Sequence, residues 1–181
     1  IVYRSTREHL LEVKAFLSDG SEAVFSTLDL DSFHSKCEEQ SLEGDIYHKV
    51  RSMLGNYDNQ IEIRKEFPRK SVERRNTGYA IDVLLDTAPF TAGEPDFNFC
   101  KLIAGSEGTL AFITEIKLNL NDLPPRETGL LCVHFNSIDE SLRANLIALK
   151  YKPSASELID HYILECTKDN REQSKNRFFV Q

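Results

Sequence analysis

A glycine break at Gly105-Ser106-Glu107-Gly108 is followed by alternation over residues 109–120, and no other feature restricts the fold of this chain as much. Two glycines three apart mark a tight turn, and Leu110, Phe112, Ile116 and Leu118 then recur at even positions. Period-two patterning predicts a β-strand with one apolar face. Such a strand needs partners. Leu11, Val13, Ala15 and Leu17 alternate in the same way, Ser18-Asp19-Gly20 supplies turn chemistry, and Ala23-Val24-Phe25 resumes the apolar pattern, which together predict a β-hairpin.

Helical periods fill the interval between hairpin and glycine break. Residues 32–39 read as a short helix opening at Asp31 or Ser32, and Ile46, Val50, Met53, Leu54 and Tyr57 recur at helical spacing after Ser41, with Asp45 near the positive end of the dipole. Ile81, Leu84 and Leu85 predict another helix, capped by Asn76 or Thr77, with Gly78 packing closely and Tyr79 in the core. Residues 87–96, with Pro89, Gly93 and Pro95, form a loop, and order resumes over 97–103 as a helical turn. Asn121-Asp122-Leu123-Pro124-Pro125 is a linker, because consecutive prolines remove donors and hold the backbone extended. Beyond it, 129–135 reads as a strand, 136–139 as a cap, and Leu142, Leu146 and Leu149 as one helical stripe. A further helix after Pro153 carries Leu158, Ile159, Tyr162 and Ile163. The fold class is α+β, with one domain over 1–121 and the start of another over 122–181. At 181 residues and 40% apolar, the chain is long enough for one domain or for one and part of a second.

Composition excludes several functions. Lys+Arg 22 against Asp+Glu 29 leaves a net charge of −7, which repels nucleic acid and anionic lipid over most of the surface. No apolar run approaches the ~18 residues of a membrane span, and no basic segment precedes an apolar one at the start, so a cytoplasmic location is expected. Cys37, Cys100, Cys132 and Cys166 form no CxxC pair, so reduced thiols are expected rather than a zinc knuckle or disulfides. The opening Ile1-Val2-Tyr3 reads as mid-fold sequence, so the chain is expected to be a piece of a longer protein.

Two motifs bear on chemistry. In Gly105-Ser106-Glu107-Gly108-Thr109-Leu110-Ala111-Phe112-Ile113-Thr114-Glu115, the glycines let main chain approach a ligand with no Cβ between, and successive N–H groups in such a turn can form an anion nest. By spacing alone, a plain turn feeding a strand is the favoured account. A Glu107 carboxylate beside a phosphate is repelled unless it turns away. The second motif is Arg75-Asn76-Thr77-Gly78-Tyr79-Ala80-Ile81-Asp82, which on its own also reads as a capped helix start.

Taken together, the pair resembles FAD-linked oxidases of the vanillyl-alcohol-oxidase type, in which an Asn-Thr-Gly-Tyr-Asp-Leu-like segment precedes a Gly-Ser-Glu-Gly-Thr-Leu-Gly-Ile-Ile-Thr-Glu-like one. That family includes glycolate oxidase subunits, D-lactate dehydrogenases and D-2-hydroxyglutarate dehydrogenases. Residues 3–20 resemble its Tyr-Gly, Thr, Val-Glu-Val-Val-Leu-x-Asp-Gly stretch, and Glu157-Leu158-Ile159-Asp160 its Glu-Leu-Met-Asp run. The resemblance implies the second lobe of a PCMH-type FAD-binding domain over 1–121, a small, mainly antiparallel sheet with helices, and the beginning of a substrate cap over 122–181. It implies FAD contacts from Gly105, Ser106, Glu107, Gly108, Thr109, Leu110 and Ile113, and from Asn76, Thr77, Gly78 and Tyr79. It also implies a small anionic 2-hydroxy acid as substrate, hydride transfer to flavin, and a separate electron acceptor. The Ala80-Ile81-Asp82 variant and the long loop before Lys101 look most like the large subgroup with a C-terminal iron–sulfur module.

Departures are Arg4 in place of the usual Gly, Ala111-Phe112 in place of Gly-Ile, and His161 after the Glu-Leu-Ile-Asp run. The family's Pro-x-Gly-Gly-Gly-Thr-like phosphate loop is expected before Ile1, and its metal-binding histidines and catalytic segments after Gln181. No catalytic or metal-binding residue is therefore assigned to this chain.

Other clusters are weaker. Cys132 and His134 alternate along the expected strand, and Glu157, Asp160, His161 and Glu165 share a helix face if 157–165 is helical, but a solvated surface explains both. Residues 64–75 hold six basic side chains against Glu66 and Glu73, and one of Arg74 or Arg75 is a candidate for meeting an anion. The alternatives to a 2-hydroxy acid dehydrogenase are a scaffold domain of the same fold without FAD, and a flavoenzyme of another substrate class, such as an alkyl-glycerone-phosphate synthase type.

Overall fold

A computed structural model describes residues 3–72, 78–170, 172, 173 and 175. The chain divides into two compact units, Tyr3–Asp122 and Leu123–Gln181. The first runs α1 (Thr6–His9), β1 (Leu10–Phe16), β2 (Glu22–Phe25), β3 (Thr27–Leu28), α2 (Leu30–Cys37), α3 (Leu42–Gly55), α4 (Tyr57–Glu66), α5 (Ile81–Leu85), β4 (Phe97–Asn98), α6 (Cys100–Ile103) and β5 (Phe112–Leu118). The class is α+β, with a three-stranded antiparallel sheet ordered β2-β1-β5 and a two-stranded pair β3-β4.

β1 is the middle strand. Its hairpin with β2 closes over Ser18-Asp19-Gly20, where Leu17 N–H donates to the Ser21 carbonyl at 2.9 Å and the Asp19 carboxylate accepts from Ser21 N–H and hydroxyl. Leu10, Val13, Ala15 and Leu17 are buried. The odd step from Leu10 to Val13 follows from a bulge between Leu10 and Glu12 on the β5 side, since one extra residue reverses the alternation.

β5 departs from the simple alternation. A second irregularity, between Lys14 and Ala15, sets Ile116 opposite Val13 and Ile113 opposite Ala15, while Phe112 lies opposite Phe16. Opposed residues of an antiparallel pair project to one side, so Ile113 and Ile116 lie on the side of Val13 and Ala15 and Phe112 on that of Phe16, although no residue of β5 is itself buried. Phe112 is 73% exposed. Thr114, the extra residue, donates its hydroxyl to the Lys14 carbonyl.

An aromatic cluster fills the core. Phe25, Phe33, Tyr47, Phe97 and Phe99 are buried, with ring centroids 4.7 Å apart for Phe33–Phe97, 5.1 Å for Tyr47–Phe99 and 5.5 Å for Phe25–Phe99. Tilted and edge-on pairs at these distances add ~1 kcal/mol each to the burial itself. Asn98 braces the segment: its amide donates to the Leu11 carbonyl and Thr27 hydroxyl, and its oxygen accepts from Cys100 N–H at 2.8 Å.

Several local expectations are corrected. α2 starts at Leu30 with Asp29 as its cap, because the Asp29 carboxylate reaches Ser32 N–H at 2.8 Å, and neither Asp31 nor Ser32 serves. The helix after Ser41 ends at Gly55, where Asn56 caps a separate helix, α4, so Tyr57 is exposed at its start and Tyr47 is the buried aromatic. The pair β3-β4 replaces the expected start of a helical turn at 97. α5 starts after Ala80 without a side-chain cap, the cap candidates Asn76 and Thr77 lie outside the described residues, and Tyr79 is 46% exposed rather than in the core.

Leu123–Gln181 contains α7 (Ile138–Ala148), a 3-10 turn (Leu149–Tyr151) and α8 (His161–Cys166). None of its described residues is buried. The expected strand over 129–135 is irregular backbone, since a β-ladder needs a neighbouring strand and no described residue pairs with it. The last helix begins only at His161, because Asp160 takes the cap position and accepts from Ile163 N–H at 2.9 Å. Leu158 and Ile159 therefore precede it, and Glu157 and Asp160 do not share a helix face with His161 and Glu165.

Cys37 and Cys100 are buried free thiols, whereas Cys132 and Cys166 are exposed. Burial pushes the Cys100 thiol up to about 11, and raises Cys37 as well, so neither forms much thiolate near neutral pH. Iodoacetamide at pH 8 should alkylate two thiols quickly and the other two only after unfolding. Peptide mapping that finds Cys100 labelled as fast as Cys166 in folded protein would contradict this packing.

Candidate functional site

α6 runs into two consecutive turns that account for the glycine spacing. In the first, Ala104 has φ −62° and ψ 116°, Gly105 has φ 89°, and Ser106 N–H donates to the Ile103 carbonyl at 3.0 Å. These are type II values, which require a left-handed third residue. In the second, Glu107 at φ 52° and Gly108 at φ 75° lie between Ser106 and Thr109, whose N–H donates to the Ser106 carbonyl at 3.0 Å. Positive φ at both central positions is the type I′ pattern, unusual for Glu107 and costing ~1 kcal/mol there.

The second glycine segment is tied to these turns by side chains. Thr109 donates its hydroxyl proton to the Ser106 carbonyl, so the contact at 2.5 Å between the Tyr79 and Thr109 hydroxyls has Tyr79 as donor. Arg7 makes the other tie. Its terminal nitrogen Nη2 donates to the Ala104 carbonyl at 2.8 Å and the Gly78 carbonyl at 3.1 Å, joining residues 97 and 71 positions away in sequence. Lys101 secures the backbone from which Arg7 projects, donating to the carbonyls of Arg7, Glu8 and Leu10 at 2.9, 3.2 and 3.4 Å. Burial lowers the Lys101 ammonium pKa, with Glu8 opposing. For Glu8, burial works against ionisation, but the Ser5 donors outweigh it and hold the carboxyl below its ordinary value.

The three glycines divide by what surrounds them. A Cβ on Gly105 meets Arg7 Nη2 at 2.8 Å, so a side chain there would push the guanidinium aside as well as strain its φ. Gly78, at φ 66°, and Gly108 have nothing within 4 Å of a Cβ position. Their backbones face open space. The N–H groups of Glu107 and Gly108 take no hydrogen-bond partner among the described residues, which leaves two donors at the tip of the turn.

Of the residues expected at the site, Gly105, Ser106, Glu107, Gly108 and Thr109 lie in the two turns, with Tyr79 bonded to Thr109 and Gly78 linked to Ala104 through Arg7. Leu110 follows, 41% exposed, and Ile113 sits apart on β5 opposite Ala15. Asn76, Thr77, Arg74 and Arg75 lie outside the described residues. Arg7 and Lys101 were not legible as site residues, because each acts on backbone carbonyls distant in sequence and neither has a characteristic spacing. Arg4, where the related pattern has Gly, adopts φ 61°, keeping the backbone conformation a glycine takes most readily.

The weaker clusters do not assemble. Cys132 and His134 are exposed, and no group of three or more His, Cys, Asp or Glu side chains placed to hold a metal occurs among the described residues. Two members of the basic run are paired: Lys65 contacts Glu62 and Glu66, and Lys70 contacts Asp86 and Glu94. No helix among the described residues is long and apolar enough to cross a membrane.

The chain is similar to curated D-2-hydroxyglutarate dehydrogenases. It is 28% identical to that of Pseudomonas putida over 162 residues, covering 90% of this chain and 15% of the relative. It is 28% identical to the Escherichia coli enzyme over 170 residues, covering 94% and 16%, and 28% identical to that of Haemophilus influenzae over 171 residues, covering 93% and 16%. The chain thus spans about a sixth of the length of these relatives, and the resemblance seen in the two glycine segments extends over nine-tenths of the chain. No protein-family model matches it, and neither does any solved structure at a significant level.

Gly105→Ala should destabilise the chain by ~2–3 kcal/mol, through φ strain and displacement of Arg7, while Gly108→Ala should cost ~1 kcal/mol from strain alone. Urea unfolding of the two variants tests this. Equal losses would mean that the guanidinium does not pack against Gly105.

Proposed function

We propose that Tyr3–Asp122 is the second lobe of an FAD-binding domain of the FAD-linked oxidase type, that Leu123–Gln181 begins its substrate cap, and that the whole protein dehydrogenates a D-2-hydroxy acid. The observation that carries this reading is the meeting of the 78–79 and 105–109 segments through Arg7 and the Tyr79–Thr109 contact. Similarity to enzymes named D-2-hydroxyglutarate dehydrogenase supports the substrate class.

The residues present fit a dinucleotide. Two left-handed glycines offer bare backbone to open space, where a Cβ would take up room a ligand needs, and the unpaired Glu107 and Gly108 N–H groups suit an anionic or carbonyl oxygen. Gly78, Glu107, Gly108 and Thr109 would hold the cofactor through backbone contacts, while Glu107 is exposed and free to direct its carboxylate into solvent. When bound, FAD supplies the acceptor for the hydride that leaves the α-carbon as the 2-hydroxy acid becomes a 2-oxo acid. This chain's part is to orient the cofactor. The group that takes the hydroxyl proton is not assigned to it.

A second reading, a scaffold of the same fold that lost FAD, is favoured by Arg4 at a position where the related pattern has Gly. Flavin in the purified whole protein excludes it.

Three outcomes test the proposal. The 181-residue chain should be colourless after gel filtration, because it contains no Pro-x-Gly-Gly-Gly-Thr-like phosphate loop, whereas the whole protein should be yellow. Gly108→Val in the whole protein should reduce flavin content more than thermal stability; lost stability with flavin retained would make the turn purely structural. Anaerobic mixing with D- and L-2-hydroxy acids should bleach the oxidised flavin band for one D-acid. Bleaching only by an aromatic alcohol or an amine would leave the cofactor in place and overturn the substrate class.

A further inference from the structure

We infer that Arg7 is a positioning residue for FAD, holding the two cofactor-facing glycine segments in one arrangement while touching no cofactor itself; this rests on the reading under Proposed function. Three observations lead to it. Nη2 of Arg7 is shared between the Ala104 and Gly78 carbonyls, so one planar cation fixes the peptide that precedes Gly105 and the peptide that precedes Tyr79. Apart from Tyr79–Thr109, no other side-chain hydrogen bond among the described residues links these segments. Gly105 lacks the Cβ that would occupy the guanidinium's place.

The guanidinium is held for this task. α1 is only four residues long, yet Ser5 N–H and hydroxyl both donate to the Glu8 carboxylate at its start and Lys101 binds three carbonyls around its end. Arg7 makes no ion pair among the described residues, and its buried Nε has no hydrogen-bond partner. The Glu8 carboxylate and the Lys101 ammonium are its charged neighbours, and its positive charge stands beside the turn where an anionic ligand would bind. A residue needed only to fasten two loops does not require a permanent charge. Arginine fixes the directions of the two Nη2 hydrogens in the guanidinium plane, whereas lysine carries its charge on a freely rotating ammonium.

The test compares whole-protein variants after removal of flavin, titrating FAD and following flavin fluorescence. Arg7→Gln should weaken FAD binding about tenfold, the size expected when hydrogen bonds from a charged donor are lost. Asn98→Ala, which breaks bonds to Leu11, Thr27 and Cys100 in the same unit, serves as the control: it should lower the melting temperature and leave FAD affinity within about twofold. Arg7→Lys, expected to fold even if Arg7→Gln does not, should fall between wild type and Arg7→Gln. Millimolar guanidinium should restore affinity to Arg7→Gly and not change that of Asn98→Ala. FAD affinity unchanged in Arg7→Lys and Arg7→Gln, or lowered equally in Asn98→Ala, overturns the inference and reduces Arg7 to a structural tie. Wild-type apoprotein that binds no FAD overturns the functional reading and this inference together, and the wild-type titration separates that case from failure of the inference alone.

Discussion

The structure of the first unit depends on the register of β1. This strand pairs with β2 on one edge and β5 on the other, and it carries Leu10, Val13, Ala15 and, just past its end, Leu17 into the core. A slip of one residue exchanges the two faces of a strand, so burial on one side locks the register. The position of α1 follows, because it runs directly into Leu10, and with it the position of Arg7. The β1–β5 ladder joins segments about a hundred residues apart and so closes the longest loop in this sheet.

The sheet was legible because period-two patterning survives in sequence: the hairpin around Ser18-Asp19-Gly20 and the strand after the glycine break are both present. The faces of β5 were not, because the irregularity at Thr114 has no mark in composition and simple counting puts Phe112 inside. Helix starts were displaced wherever several cap residues stand together. Asp29, Asp31 and Ser32 compete at α2, and Asp29 succeeds because its carboxylate reaches the Ser32 N–H. The aromatic core was missed, since Phe33, Tyr47 and the pair Phe97 and Phe99 come from three separate segments and none forms a stripe by itself. In the second unit the apolar alternation of 129–135 suggests a strand, but alternation describes what a segment can pair with, not that a partner is there.

At the candidate site, the sequence identified the two segments but not how they are joined. Gly105 and Gly108 look equivalent as letters three apart. Their surroundings separate them: one packs against a guanidinium and the other faces open space. The tie through Arg7 runs from side chain to backbone carbonyl, an interaction that any residue can accept and that therefore leaves no pattern at the accepting end. The proposed site rests on exposed main chain rather than on reactive side chains, and a search for catalytic or metal-binding spacing does not register such main chain.

The central claim is that 78–79 and 106–109 form a single FAD-contacting surface. Hydrogen–deuterium exchange of the whole protein, measured with and without FAD, addresses it most directly. The account predicts that FAD slows exchange at Tyr79 and at Glu107, Gly108 and Thr109 together, since both segments face the same ligand. Protection confined to one segment, or FAD bound with neither segment protected, would contradict it.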